Sequence, residues 1–379
     1  MNLLSYYLDN AATIALSSEM KKYLISVLDI FGNPSSAHSE GAMAKRLIED
    51  VRKNVAKFIK ADGFENIYFT SSGSASNTLG IQGYTLANKC NVVYSPTVHK
   101  SNLKTIDNLA EFYEVDISEL KVDSYGVIEV DYLEQTMMSC SKGTLVVVEY
   151  ANSEIGTIQD IKTISDIVHK YGGKLFVDCT GSISTIPLDV TGLNIDIATF
   201  SAHKIGALKG VGVLYKKPDI TMSPLVFGSQ EQGLFGGTEN VLGILSLGKA
   251  IDLMSYGKTS HIRDFVWNII KDIDGVSLVG APLDKNRLIS NLYVCVKDLR
   301  GGDIAALMDD VYKIQISTGS ACNNGSPSPS STALAIGLSE EDANSCVRIS
   351  FSGNEAEDEL KEFCKSFSTC IKMLRDLND

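Results

Sequence analysis

The sequence predicts an α/β protein: a large domain on a mostly parallel, seven-stranded sheet flanked by helices, followed by a smaller α+β domain. Strand-like and helix-like segments alternate from about residue 67 to residue 215, the pattern of parallel strands with helices crossing between them. A length of 379 residues exceeds one ordinary core and fits about two domains. Beyond about residue 255 the alternation stops and the texture changes.

Residues 1–40 carry one helical stretch, near Ser18 to Leu28, and two polar turns, Asp9-Asn-Ala-Ala-Thr and Gly32-Asn-Pro-Ser-Ser, of a kind that often lines sites. From Gly41 to Lys60, Leu47, Ile48, Val51, Val55, Phe58 and Ile59 recur at helical spacing, and Glu49 stands four before Lys53, which predicts an amphipathic helix. The alternation then runs through strand Ile67 to Thr70, helix Ser76 to Asn88, strand Asn91 to Ser95, helix His99 to Leu109 and strand Glu111 to Val115. It continues with helix Glu129 to Met138, strand Thr144 to Tyr150, helix Thr163 to Tyr171 and strands Leu175 to Asp178, Ile195 to Phe200 and Val211 to Tyr215. In the second unit, strands at Val276 to Val279, Leu288 to Val296, Ile314 to Ser317 and Val347 to Ser350 are separated by helices near Asp303 to Met308, Ser330 to Ile336 and Glu355 to Leu374. Residues 16–255 read as the large domain; residues 1–15 and 256–379 read as the small one.

Composition narrows the function. With 44% apolar and 21% charged residues the chain is ordinarily globular. A net charge of -12 with no basic block argues against a nucleic-acid partner and leaves small-molecule chemistry. The N-terminus lacks a basic leader and no stretch reaches the length of a membrane span, so a cytoplasmic protein without a membrane partner is expected. Eight cysteines, none in a Cys-x-x-Cys pair, read as reduced thiols rather than a disulfide framework.

In open α/β sheets ligands collect at the carboxyl ends of the strands. Thr70, Asp178, Ser201 and Lys204, with Ser95 and His99 just past another strand, are therefore expected to face one region. Lys204 ends a buried strand; partial desolvation there frees its amine to attack an aldehyde, although a strand-end lysine also commonly snorkels to water. The run Thr70-Ser-Ser-Gly-Ser-Ala-Ser-Asn is either a phosphate cradle at a helix N-terminus or an ordinary Ser-rich cap. Asp178 is either a turn residue or the partner of a protonated ring nitrogen, and His99 either a helix cap or a group that stacks on a ring and moves protons. Amine, acid and phosphate nest together make the minimum kit for pyridoxal phosphate. Strand alternation points His203 away from Lys204, toward the phosphate or the fold. Cys322 stands in a polar, Ser/Pro-rich stretch that reads as a mobile loop, where a reactive thiol has access. Arg348, a fork-shaped cation within an apolar strand, suits a substrate carboxylate or a structural ion pair.

With these residues assembled, the chain resembles the NifS/IscS cysteine desulfurases of the class V aminotransferases, pyridoxal 5'-phosphate enzymes of fold type I. The resemblance rests on Tyr7-Leu-Asp-Asn-Ala-Ala-Thr, Gly32-Asn-Pro-Ser-Ser, Phe69-Thr-Ser-Ser-Gly-Ser, Thr97-Val-His-Lys, Asn152-Ser-Glu-Ile-Gly, Val177-Asp-Cys-Thr-Gly-Ser, Ser201-Ala-His-Lys, Gly237-Thr-Glu-Asn, Gly319-Ser-Ala-Cys and Arg348-Ile-Ser, spread almost end to end. It implies that Lys204 holds the cofactor as a Schiff base, that Asp178 pairs with the ring nitrogen, and that His99 stacks on the ring and assists proton transfer. Gly73, Ser74, Ser201 and His203 would hold the phosphate, with Thr238 from the other subunit of a homodimer; Asn152 and Ser153 would lie at the cofactor, and Arg348 with Asn33 would take the carboxylate of L-cysteine. Cys322 would accept the sulfur as a persulfide, releasing alanine, and pass it to an acceptor or scaffold protein. That acceptor stays open among iron–sulfur cluster assembly, thiolation and other sulfur metabolism.

The chain departs from the family at four places. Ser153 stands where the family usually has Asn, Gly181 where it usually has Gln, and Gln232 and Phe235 where arginines are common. The first two changes remove side chains that bond the cofactor's ring hydroxyl. Two rivals remain: a class V aminotransferase or lyase for another small amino acid, which would need no Cys322, and a low-turnover cofactor-binding homologue, which would not need to keep Lys204, Asp178 and His99.

Overall fold

A computed structural model describes residues 6–141, 143–257, 260–318 and 329–378. At the centre lies a sheet of seven strands: β1 (Ile67–Thr70), β2 (Val92–Tyr94), β3 (Ile117–Glu119), β4 (Leu145–Glu149), β5 (Lys174–Asp178), β6 (Ile197–Ser201) and β7 (Gly212–Lys216). Their spatial order is β1-β7-β6-β5-β4-β2-β3. Only β7 runs against its neighbours, β1 and β6; every other pairing is parallel. The expected α/β architecture with a mostly parallel sheet is what the chain forms.

A sheet covered on both faces needs apolar residues on both sides of each strand. β4 meets that demand with Leu-Val-Val-Val before Glu149, and all five positions are buried. Its side chains divide by parity. Val146 and Val148 join Val177, Val55 and Leu247 in one core, while Leu145 and Val147 join Phe176, Leu79 and Ile106 in the other.

A second unit is built on the antiparallel strands β8 (Val276–Leu278), β9 (Asn291–Val296) and β10 (Cys346–Ser350), in the order β10-β9-β8. Helices Ser260–Ile270, Gly301–Tyr312 and Glu357–Asn378 contribute to a separate core with Leu292, Val294, Val347 and Ile349. The chain start is woven into this unit. Tyr6–Tyr7 pairs with Ile314–Gln315, Leu8 enters the same core, and Asp9 bridges Ser350.

Two local expectations change. The helix after β1, α1 (Gly73–Thr78), starts three residues before Ser76 because the Ser72 hydroxyl caps it, accepting the Ala75 N–H at 3.1 Å; it continues through a π turn over Leu79–Gly83 to Asn88. The segment Glu111 to Val115 is not a strand. Helix α2 (Lys100–Tyr113) runs through most of it and ends at left-handed Glu114, and the edge strand β3 follows. Phe112 and Tyr113, which made that stretch look strand-like, lie exposed on the helix's last turn.

Among the described residues no helix is long and apolar enough to cross a membrane. Cys322 lies outside the described residues.

Candidate active site

The carboxyl edge of the parallel strands opens into a cleft of ≈ 620 Å³, lined by Gly73, Ser74, His99, Asn152, Ser153, Asp178, Ser201, His203, Lys204 and Arg348 among others. Asp178, the last residue of β5, is 2% exposed and forms part of the cleft lining. Its Oδ2 accepts from Asn77 Nδ2 at 2.7 Å and Asn102 Nδ2 at 3.1 Å, and its Oδ1 accepts the Thr180 N–H at 2.9 Å. Asn77 cannot turn over, since its Oδ1 already accepts the Thr199 hydroxyl. The carboxylate is fixed by three donors from α1, α2 and the turn after its own strand.

Lys204 follows β6 on a 3₁₀ turn, Ala202–Ile205, and its Nζ donates to the Ala11 carbonyl brought in by the N-terminal segment. Burial, joined by the Arg348 charge, lowers its pKa to about 8 against the opposing pull of Asp9, Asp178 and Glu149. The same turn corrects the expectation for His203. Strand alternation ends at Ser201, so His203 lines the cleft with Lys204 instead of facing away. Its Nδ1 meets the Thr13 hydroxyl at 3.1 Å, and burial with Lys204 and Lys209 nearby holds its pKa at about 4, so it serves as a neutral hydrogen-bonding group.

His99 is both cap and cleft wall. Its Nδ1 accepts the Ser101 N–H at 3.1 Å at the start of α2, which assigns the ring proton to Nε2. The protein around the ring lowers its pKa, as do Lys204 and Lys100, while Asp178 opposes them. Across the cleft, Arg348 binds Asp9 through Nη2 at 2.6 Å and the Ser153 carbonyl through Nη1 at 3.2 Å. Its Nε is buried with no hydrogen-bond partner among the described residues. A guanidinium on a cleft wall suits an anion, and a buried N–H without a partner calls for an explanation.

Where a phosphate cradle is expected, the packing is tight. A Cβ on Gly73 would come within 2.9 Å of Ser201 Cβ, so glycine alone lets the start of α1 and the end of β6 meet. Gly181 is constrained more sharply: a Cβ there would stand 2.4 Å from the Ala151 carbonyl oxygen, and this backbone has no place for the Gln common at that position. Asn152 lines the cleft, but its amide is fully used. Nδ2 donates to the Thr97 carbonyl and Glu149, and Oδ1 accepts the N–H groups of Glu154 and Ile155. It shapes the turn that carries Ser153.

Two expected site residues are not in this cleft. Asn33 is exposed, its Oδ1 accepting the Ser35 N–H, and the next residues of its loop, Pro34 and Ser35, line a different cavity with Arg52 and Glu231. Thr238 lies at a further hollow with Phe235 and Asn240. Sequence reading also left out Asn77, Asn102 and Glu149. Asn77 closes the Thr70-to-Asn77 run, so its position was visible though its role was not; a buried helical Asn such as Asn102 leaves no local signal.

The aminotransferase class-V family model matches residues 6–363. The chain belongs to that family. Among its class-V relatives, cysteine desulfurase IscS 1 of Archaeoglobus fulgidus is 31% identical over 384 residues, covering 98% of both chains. Of the solved structures, a NifS-like protein is 27% identical with a TM-score of 0.88, covering 98% of this chain and 100% of its own. Another, SspA in complex with cysteine, is 28% identical with a TM-score of 0.80, covering 93% and 100%. Class-V enzymes work with pyridoxal phosphate, and the residues of this cleft fit it: a depressed-pKa amine, a fixed carboxylate and a cradle that a single Cβ would fill stand on one strand edge.

Proposed function

We propose that this chain is a pyridoxal-phosphate-dependent cysteine desulfurase that takes sulfur from L-cysteine, releases L-alanine and leaves the sulfur as a persulfide on Cys322 for an acceptor protein. The observation that carries this reading is the convergence of Lys204, Asp178 and the Gly73–Ser201 contact in one cleft of a class-V chain. Pyridoxal phosphate, when bound, supplies an aldehyde for amino groups and an electron-withdrawing ring.

The chain's own residues supply the rest. Asp178 would hold a ring nitrogen in its protonated form, and Gly73, Ser74, Ser201 and neutral His203 would receive the phosphate. Lys204, with its pKa near neutrality, exchanges a proton at Nζ readily at working pH. His99 Nε2 carries a second transferable proton. Arg348, which lines the cleft, would take the substrate carboxylate. Both flanks of the segment that carries Cys322 reach the cleft, at Ser317 and at Ser330 to Thr332. The Cys322 thiolate would attack the substrate sulfur. An S–S bond forms as the C–S bond breaks, and that electron pair with a proton ends in the methyl group of alanine.

The seven described cysteines are free, which supports a reducing, cytoplasmic setting. Thr238 stands exposed beside Gly237, and in a homodimer it would serve the site of the second copy. Purified protein incubated with cysteine and reductant is expected to yield sulfide and alanine in equal amounts, and Cys322→Ser to yield neither. Alanine without sulfide, or full activity in Cys322→Ser, would overturn the persulfide route.

A further inference from the structure

Strands β9 and β10 set two cysteines directly opposite each other: Cys295 is the register partner of Cys346. The ladder bonds fix what kind of pair this is. The Val296 N–H donates to the Ser345 carbonyl and the Phe351 N–H to the Ser290 carbonyl, which makes those two pairs hydrogen-bonded ones. Bonded and non-bonded pairs alternate along an antiparallel ladder, so Cys295 and Cys346 form a non-bonded pair, where opposite Cα atoms come to about 4.5 Å and side chains lie closest. A disulfide spans that spacing. Both sulfurs lean on one acceptor, the Asp342 carbonyl, Cys346 Sγ at 3.1 Å and Cys295 Sγ at 3.6 Å.

We propose that Cys295 and Cys346 are a redox-modification site: a hydroperoxide converts the two thiols into a disulfide that staples β9 to β10 two residues before Arg348. Cys295 is the sulfur that reacts first. It is 6% exposed, whereas Cys346 is fully buried. The Cys346 thiol beside it lowers the Cys295 pKa against the opposing effect of burial, and the same contact together with burial raises that of Cys346. Burial raises the pKa of every other described cysteine. A thiol with a depressed pKa next to a resolving thiol is the arrangement of a redox sensor.

The Cys295 thiolate attacks one oxygen of hydrogen peroxide. An S–O bond forms, the O–O bond breaks, and the departing hydroxide takes up the proton Cys295 gave away, leaving as water. Cys295 is then a sulfenic acid. The Cys346 sulfur attacks the Cys295 sulfur: an S–S bond forms, the S–O bond breaks, and hydroxide leaves with the Cys346 proton as a second water. Two thiols have given two electrons to one peroxide.

The position gives the bond its consequence. Arg348 follows Cys346 by two residues and shares its face of β10. The Arg348 main chain pairs with Ser317 in both directions, at 2.6 and 3.1 Å. Tyr293, opposite Arg348, donates its hydroxyl to Glu154 in the cleft wall at 2.9 Å. A staple here stiffens the strand pair that presents Arg348 to the cleft.

The test uses full-length Cys322→Ser protein, which lacks the other thiol expected to react. It is treated with hydrogen peroxide beside a parallel tube of glutathione as dose reference, alkylated, and digested without reductant for mass spectrometry. The peptides holding Cys295 and Cys346 are expected to be joined, lighter by two hydrogen atoms than the reduced pair, and to part again in dithiothreitol. Adding Cys346→Ser is expected to carry Cys295 on to the sulfinic acid, since no resolving thiol remains; adding Cys295→Ser should leave Cys346 reduced. Two free thiols in the Cys322→Ser chain when the glutathione is half consumed, or a Cys295 sulfinic acid there without a joined peptide, would overturn the inference. The joined peptide is read with both cysteines in place, so the result stands even where the added serine variants do not fold.

Discussion

The floor and the rim of the cleft hold their charged groups differently. On the floor both oxygens of Asp178 are engaged: Asn77, Asn102 and Thr180 donate to it and Thr199 locks Asn77, while Asn102 Oδ1 is left without a hydrogen-bond partner among the described residues. At the rim, Arg348 reaches in from the second unit with its Nε unpartnered among the described residues, and Lys204 leans on a single carbonyl. A carboxyl group held by donors at both oxygens stays in one place and resists change. Open valences suit groups that come and go, as substrate must. The cofactor's ring nitrogen would thus meet the fixed carboxyl of the floor, and the substrate carboxylate the cation at the rim.

The comparison can be broken at either end. Lys204→Ala is expected to have the largest effect, a loss of activity of about 10⁴-fold, the upper end for removing a proton-transfer group. Next comes Asp178→Asn. Either orientation of the new amide sets an N–H₂ against a fixed donor, and with charged hydrogen bonds worth about 1.5–3 kcal/mol each, a fall of about 10²- to 10³-fold in kcat/KM with weaker cofactor binding is expected. Arg348→Ala should act on the substrate rather than the cofactor: KM for cysteine rises about 10- to 100-fold, and the dissociation constant for pyridoxal phosphate barely moves. If both variants weaken the cofactor equally, the division between floor and rim is wrong.

Smaller effects sharpen it. Cofactor uptake by the stripped protein should quicken as pH rises through about 8 and then level off, because the depressed pKa of Lys204 leaves its amine neutral above that point. A rate still climbing past pH 10 would mean an ordinary exposed lysine. Gly181→Ala is expected to lower the melting temperature with a stability loss of about 1–3 kcal/mol, since its methyl group would meet the Ala151 carbonyl; an unchanged melting curve would mean that the backbone there yields.

Much of this was legible in the sequence because it sits at strand ends. A buried apolar run announces a strand, and in a parallel sheet its last residue faces the ligand edge, so Asp178, Ser201 and Lys204 could be placed from pattern alone. His203 could not, because the alternation rule needs extended backbone and the chain turns into a 3₁₀ helix at Ala202. The strand expected over Glu111 to Val115 failed for a related reason: aromatic residues favour strands, but on the last exposed turn of α2 they cost little. Asn77, Asn102 and Glu149 escaped because a polar residue reads alike whether it faces water or a buried partner, and only the fold brings the partner. Asn33 and Thr238 were named through resemblance, and neither lines the cleft of its own chain.

The most direct test is the visible absorption spectrum of purified wild-type and Lys204→Ala protein with pyridoxal phosphate. Wild type is expected to show the band of a cofactor joined to a lysine, and Lys204→Ala to show only the free aldehyde. An identical band in both would contradict the assignment of Lys204, and with it the reading of this cleft.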